Sequence, residues 1–140
     1  MISFKILLFF VFLSASFAFR RQSVAVQGRL MCGNMPARGV LVKLFDEDDG
    51  PDPDDLLDHG YTDNDGKFSL SGDTVEFTNI DPELRVYHSC NNYVNPCDRE
   101  WIIQIPDKYI SAGKTPTKVF DFGTMNLEIE LEDEGHDCIH

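Results

Sequence analysis

The most reactive side chains in this sequence belong to four cysteines and four histidines. Cysteines either ligate metals or pair as disulfides, and their spacing and redox compartment decide between the two. His136, Cys138 and His140 alternate near the end of the sequence. The CxxC pairs that structural zinc sites combine with such residues are absent, so we predict disulfides and no metal ligands. The four cysteines are Cys32, Cys90, Cys97 and Cys138.

The amino-terminal segment has the three-part form of a secretory signal peptide. A single charge at Lys5 precedes an apolar run over residues 6–13, and small residues follow up to Ala18. The run is shorter than the ~20 residues that a membrane-spanning helix needs. We predict cleavage after Ala18, which makes residues 1–18 a signal peptide. Residues 19–140 are then a single secreted, extracellular domain.

Export exposes the cysteines to an oxidising compartment, which favours two disulfides with three alternative connectivities. Cys90 and Cys97 enclose only six residues, so a local bridge forms easily. We predict this bridge, which leaves Cys32 to pair with Cys138. The other connectivities stay open.

An acidic segment is the next candidate site. It begins at Asp46 and ends at Asp55, and it places seven carboxylates in ten residues. Hard cations such as calcium prefer carboxylate oxygens. Charge runs are more often solvated surface loops, and we favour that interpretation.

A shorter acidic motif, DNDG over residues 63–66, resembles the start of an EF-hand loop. With its glycine aligned, Tyr61 replaces the first aspartate and Gly72 replaces the closing glutamate, so the match fails. We predict a hairpin turn at this position, because Asp and Gly tolerate positive φ.

No catalytic set and no cofactor site is predicted. His88 shares a strand face with Leu84 and Val86, which favours a core histidine hydrogen-bonded near a disulfide over a catalytic base. Arg99 is expected to pair with an acidic group or to stack on a ring. Aromatic residues form either an exposed recognition patch or part of the core. They are Tyr87, Tyr93, Trp101 and Tyr109.

Composition excludes one class of partner. The 140 residues are 42% hydrophobic and 26% charged, as in ordinary globular proteins, and carry a net charge of −12. Nucleic-acid binding needs clustered basic residues and is not expected. The same charge opposes anionic membranes, so a lipid headgroup would require a bridging cation or a local basic patch. Candidates for that patch are Lys108, Lys114 and Lys118.

Apolar and polar residues alternate with period two along most of the chain, which predicts seven or eight short strands and no amphipathic helix. Such spacing is typical of an all-β, antiparallel two-sheet β-sandwich, with a closed barrel as the alternative. The clearest alternation predicts a strand over residues 125–131. Further strands are predicted over residues 24–31, 40–44, 68–70, 84–88, 101–105 and 118–122.

An ordered set of segments resembles the nematode transthyretin-like family across about residues 23–140. The resemblance implies a secreted, transthyretin-like (prealbumin-like) sandwich. Relatives that hydrolyse 5-hydroxyisourate use histidines, an arginine and a terminal YRGS. This chain ends in DCIH and has VAVQ (24–27) where such an enzyme has its amino-terminal histidine motif, so no hydrolase residue is carried over. The segments are VQGRLMCG (26–33), GVLVKL (39–44), DDLL (54–57), TDNDGKF (62–68), DPELRVYHSC (81–90), CDR (97–99), IPDKYI (105–110) and DCIH (137–140).

We therefore expect a secreted, non-enzymatic binding protein. It would act through loops or exposed sheet faces on an extracellular protein, a receptor or a lipid headgroup. The alternative is an oligomeric carrier of a small apolar ligand in a channel between subunits, as in hormone-binding relatives. The oligomeric state is open.

Overall fold

A computed structural model describes residues 19–48, 53–93 and 95–140. The predicted signal peptide, residues 1–18, lies outside the described residues. Within the described ranges no helix is long and apolar enough to span a membrane. One turn of 3₁₀ helix, Asp107–Tyr109, accompanies ten strands. They are β1 (Arg20–Cys32), β2 (Met35–Pro36), β3 (Leu41–Asp46), β4 (Asp55–Tyr61), β5 (Lys67–Glu76), β6 (Pro82–His88), β7 (Asp98–Gln104), β8 (Ser111–Ala112), β9 (Phe120–Asn126) and β10 (Gly135–Asp137).

β1 is the central strand of the first sheet, where it pairs with β2, β5, β8 and β9. β5 runs antiparallel to β1 along ten residue pairs, and the short strands β2 and β8 are also antiparallel to it. β9 runs parallel to β1, with an irregularity between Gln27 and Arg29. A Cβ on Gly28 would lie 2.6 Å from the Phe122 ring. The close packing of β9 on β1 therefore requires glycine at this position.

The second sheet has the order β10-β7-β6-β3-β4, and every neighbouring pair is antiparallel. Apolar residues in β3 and β6 lie directly opposite one another, with Val42 beside Val86 and Leu44 beside Leu84. All four are fully buried. Period-two patterning thus supplies one apolar face of this sheet.

The core lies between the two sheets. Val24, Val26 and Leu30 of β1 belong to the same buried cluster as Leu84 of β6 and Trp101 of β7. The predicted two-sheet β-sandwich is confirmed, and the strands form two separate sheets instead of one closed barrel. The parallel pairing of β1 with β9 is the one departure from an antiparallel arrangement among the described strands.

The strand predicted over residues 125–131 is wrong beyond Asn126, where β9 ends. The alternation places Leu127 and Ile129 on one face, but Leu127 is fully buried whereas Ile129 is exposed, and the chain forms turns here. The guanidinium of Arg99 donates to the carbonyl oxygens of Leu127 at 2.8 Å and Ile129 at 2.9 Å. A buried side chain therefore satisfies these carbonyls in place of a neighbouring strand.

The turn at residues 63–66 is also not the predicted hairpin. It connects β4 of the second sheet to β5 of the first, so the flanking strands do not pair. Asp63 Oδ1 accepts the backbone N–H groups of Asp65 and Lys67, both at 2.9 Å. Gly66 has φ +77°, and a Cβ there would lie 2.2 Å from the Leu30 carbonyl oxygen. The DNDG motif thus makes a tight corner between the sheets.

Candidate functional site

A groove of about 710 Å³ lies on the outer face of the first sheet. Its floor comes from β1, β5 and β9, and its rim comes from the end of β4 and the turn that follows. Residues that alternate with the buried positions of these strands face the groove, because successive side chains point to opposite faces of a sheet. The lining residues are Gln27, Gly28, Arg29, Tyr61, Asp63, Lys67, Phe68, Ser69, Asp121, Gly123 and Thr124.

Two basic residues lie side by side in this groove. Arg29 of β1 is directly opposite Lys67 of β5, which places their Cβ atoms about 5 Å apart. Like charges at opposed positions destabilise a sheet. Arg29 Nε donates to the Asp65 carbonyl oxygen at 2.8 Å. Among the described residues, neither side chain forms a salt bridge.

The carboxylates of the groove make hydrogen bonds to other groups. Asp121 Oδ2 accepts from Gln27 Nε2 at 3.0 Å, and Asp121 Oδ1 accepts from the Gly123 N–H at 2.8 Å. These hydrogen bonds lower the pKa of Asp121. Asp63 caps the corner described above. Both carboxylates therefore hold local structure and leave the cations Arg29 and Lys67 without an ion-pair partner.

Tyr61 contributes an aromatic surface at the rim, where it is 66% exposed. Its ring and the two cations together can receive a ligand that carries an anionic group beside an apolar or aromatic part. The sequence analysis did not identify this site. Arg29 and Lys67 are 38 positions apart in numbering, and only the β1–β5 register brings them together.

The cysteines form two disulfides, but not in the predicted pairing. Cys32 bonds to Cys90 with a Cα–Cα distance of 5.8 Å, and Cys97 bonds to Cys138 with a Cα–Cα distance of 4.3 Å. Cys32 ends β1, and the first bridge therefore links the two sheets. Cys97 precedes β7 and Cys138 follows β10, and these two strands pair. Sheet packing and pairing thus place each cysteine beside a partner that is distant in sequence.

Arg99 is buried in a polar network under the carboxyl-terminal loop. Besides the carbonyls of Leu127 and Ile129, it donates to the Cys90 carbonyl oxygen at 2.8 Å and forms a salt bridge with Glu134. The hydrogen bond from Arg99 is the main cause of the lowered pKa of Glu134. The expected acidic partner of Arg99 is present, but in a structural role.

His88 packs beside this network. Its Nδ1 accepts the N–H of Cys90 at 3.1 Å, and its ring lies edge-on to Trp101 at 5.6 Å. Burial, and secondly the positive charge of Arg99, lower the pKa of His88 to about 4. These contacts agree with the expected core histidine near a disulfide.

The other candidate residues are dispersed. Trp101 is fully buried and Tyr87 nearly so, whereas Tyr93 is 89% exposed, so these aromatics do not form one patch. Lys118 Nζ donates to the Lys108 carbonyl oxygen at 2.8 Å. Lys114 is on the exposed connection between β8 and β9.

The two histidines near the carboxyl terminus contact different partners. His136 contacts Asn92 at 3.2 Å, and His140 contacts Asp98 at 3.1 Å. Cys138 between them is in a disulfide. These three residues therefore do not form a shared metal site.

The packed sheets, the two bridges and the exposed groove define a disulfide-bonded, two-sheet β-sandwich. The sequence profile of the transthyretin-like family matches residues 27–106. Transthyretin-like protein 46 of Caenorhabditis elegans is 51% identical over 123 residues, which cover 87% of this chain and 69% of that protein. Transthyretin-like protein 5 of the same organism is 44% identical over 138 residues, covering 97% and 99% of the two chains. Transthyretin-like protein 33 is 47% identical over 119 residues, covering 85% and 83%.

The chain belongs to the transthyretin-like family, which confirms the resemblance seen in the sequence motifs. Among solved structures, a 9R-lipoxygenase from Cyanothece covers 75% of this chain and 16% of that chain at 23% identity and a TM-score of 0.39. A likeness at that level supports no inference about function.

Proposed function

We propose that this protein is a secreted, non-enzymatic binding module whose working surface is the groove on the first sheet. The observation that carries the proposal is the juxtaposition of Arg29 and Lys67 in a protein of net charge −12. Opposed cations without an ion-pair partner cost stability, and an anionic ligand group offsets that cost.

Secretion is part of the proposal. It rests on the signal-peptide pattern of residues 1–18 and on two disulfides, which persist in oxidising compartments. Residues 19–140 would then form the single mature domain. Mass spectrometry of the exported protein tests this directly, and an amino terminus within a few residues of Phe19 is expected.

The groove favours a protein or receptor segment as the ligand. A carboxylate or phosphate can lie between Arg29 and Lys67, while an apolar side chain contacts Tyr61. The overall negative charge opposes approach to an anionic membrane, which makes a lipid headgroup the less favoured source of the same chemistry. The charged floor of the groove also fits poorly with a small apolar ligand. A carrier that binds such a ligand in a channel between subunits is the alternative function, and the experiment must distinguish it from binding in the groove.

Two binding assays distinguish a peptide ligand from a lipid headgroup. Fluorescence anisotropy uses a labelled peptide that carries a phosphotyrosine, and co-sedimentation uses phosphatidylcholine vesicles with and without phosphatidylserine. We expect peptide binding that weakens as salt increases and that is lost in Arg29→Gln/Lys67→Gln. The matched control Arg38→Gln/Lys114→Gln removes two exposed charges outside the groove and retains binding.

Equal peptide binding by both double variants would contradict a role for the groove. Binding to phosphatidylserine vesicles alone would replace the peptide ligand with a lipid headgroup. A tetramer that takes up an apolar dye, together with no binding to either probe, would support the carrier.

A further inference from the structure

A second concave surface lies at the opposite end of β5 from Lys67. Its volume is about 530 Å³, and its walls come from the end of β3, the start of β4, the end of β5 and the segment before β6. β3 and β4 belong to the second sheet, whereas β5 belongs to the first. The concave surface is therefore lined by residues of both sheets, and a ligand bound there would contact both. Its lining residues are Asp46, Glu47, Asp48, Pro53, Asp55, Glu76, Thr78, Asn79 and Asp81.

Asp46, the last residue of β3, is a buried acid with one unsatisfied oxygen. The residue is 2% exposed. Its Oδ1 accepts the backbone N–H of Asp81 at 2.9 Å. Its Oδ2 is buried and has no hydrogen-bond partner among the described residues. A buried carboxylate oxygen in this state is costly unless a proton or a cation satisfies it.

Three further acids converge on Asp46. One carboxylate oxygen from each of Asp46, Asp48, Asp55 and Glu76 lies within 4.8 Å of the others. Calcium–oxygen bonds of 2.3–2.6 Å place opposite ligands about 4.6–5.2 Å apart. The shorter bonds of magnesium reduce that distance to about 4.2 Å. Separations of up to 4.8 Å between the four oxygens are compatible with calcium coordination.

The nearby basic groups are engaged elsewhere. Arg85 pairs with Asp54 and Glu83. Arg20 lies directly opposite Glu76 between β1 and β5, but its guanidinium donates to Asn79 Oδ1 at 3.1 Å. Among the described residues, no salt bridge involves Asp46, Asp55 or Glu76. Burial raises the pKa of Asp46 to about 6, and the charges of Asp48, Glu76 and Asp55 act in the same direction, against the N–H of Asp81.

We propose that Asp46, Asp48, Asp55 and Glu76 bind one Ca²⁺ ion, with the unsatisfied oxygen of Asp46 as the innermost ligand. Ligands made only of carboxylate oxygens fit hard cations and exclude metals that prefer imidazole or thiolate. Glu76 lies on the first sheet, whereas Asp46 and Asp55 belong to strands of the second sheet and Asp48 follows β3, so the ion would tie the two sheets together. This site is independent of the groove that carries the proposed function.

Equilibrium dialysis with radioactive calcium at about pH 7.5, where Asp46 is ionised, tests the proposal. We expect one ion per chain with a Kd of about 0.1–1 mM, the range of extracellular calcium modules. Asp46→Asn keeps the acceptor for Asp81 and should weaken binding at least about tenfold, as should Glu76→Gln on the other sheet. Glu132→Gln removes an exposed carboxylate outside the cluster and should leave calcium binding unchanged.

Calcium should also raise the thermal midpoint of the wild-type protein and of Glu132→Gln, and not that of the two cluster variants. If Asp46→Asn does not fold, Glu76→Gln and Asp55→Asn give the same comparison. Absence of stoichiometric binding at about 5 mM calcium, or equal binding by cluster and control variants, would overturn the proposal.

Discussion

The guanidinium of Arg99 and the carboxylate of Glu134 form a bidentate salt bridge beneath the carboxyl-terminal loop. Arg99 Nε donates to Oε2 and Nη2 donates to Oε1, both at 2.7 Å. Both side chains are nearly buried, and Glu134 Oε1 also accepts the N–H of Leu131 at 2.8 Å. This pair therefore holds the loop after β9 on the core.

Glu134→Gln should lower the free energy of unfolding by about 3 kcal/mol, because it leaves the buried charge of Arg99 without its anion. Urea unfolding of the oxidised protein measures this change. Glu132→Gln on the exposed side of the same loop should change it by less than about 0.5 kcal/mol. Equal effects of the two substitutions would show that the salt bridge does not hold the loop.

His88 should make stability depend on pH in a defined direction. The pKa of His88 is about 4 in the folded protein, against 6.5 in the unfolded chain. The unfolded chain therefore takes up a proton first as the pH falls from about 6.5 to 4, and the contribution of His88 to stability is lost across that window, by up to about 3 kcal/mol.

The matched variant is His88→Asn, whose side-chain oxygen can accept the Cys90 N–H. The stability difference between wild type and this variant should be largest above about pH 6.5 and should shrink toward pH 4. The raised pKa of Asp46 has the opposite effect and increases stability as the pH falls, but this effect is the same in wild type and in His88→Asn. A difference that does not vary with pH would contradict a neutral, buried His88.

Disulfide mapping should recover peptides that join Cys32 to Cys90 and Cys97 to Cys138. Removal of either pair as a double serine variant should cost about 4 kcal/mol, because the closed loops are of similar length. Mass spectrometry of a non-reduced digest distinguishes the connectivities. Recovery of a Cys90–Cys97 peptide would contradict the packing of Cys32 against the end of β6.

Gly66→Ala should destabilise the protein by about 3 kcal/mol, since its Cβ would collide with the Leu30 carbonyl oxygen as well as occupy a positive φ. Gly39→Ala is the control. Gly39 also has a positive φ, of +71°, but a Cβ there meets no atom within 4 Å among the described residues. Its cost should be near 1 kcal/mol. Equal losses of stability in the two variants would show that the backbone at Gly66 shifts to accommodate the added Cβ.

The sequence predicts those strands whose alternation matches a one-sided apolar face, as in β1, β3 and β6. It does not predict β10, because three residues paired with β7 carry no such pattern. The error after Asn126 has a nonlocal cause. Arg99, which is far from this segment in sequence, donates to the carbonyl oxygens of Leu127 and Ile129 and replaces a strand partner.

The candidate site depends on register in the same way. Arg29 and Lys67 are ordinary surface residues in the sequence, and they lie side by side only because β1 and β5 align in this register. The cysteine pairing likewise depends on sheet packing, which brings Cys32 to Cys90 although Cys97 is nearer in sequence. Neither the Arg29–Lys67 pair nor the Cys32–Cys90 disulfide can be predicted from the pattern of neighbouring residues in the sequence.

The measurement that tests the central claim most directly is an NMR titration of the isotope-labelled protein with O-phosphoserine. This ligand has a phosphate and a carboxylate for Arg29 and Lys67. We predict amide shift changes concentrated at these two residues and at Tyr61, and their loss in Arg29→Gln/Lys67→Gln but not in Arg38→Gln/Lys114→Gln. Shift changes located elsewhere on the sandwich, or identical in both double variants, would contradict an anion-binding groove.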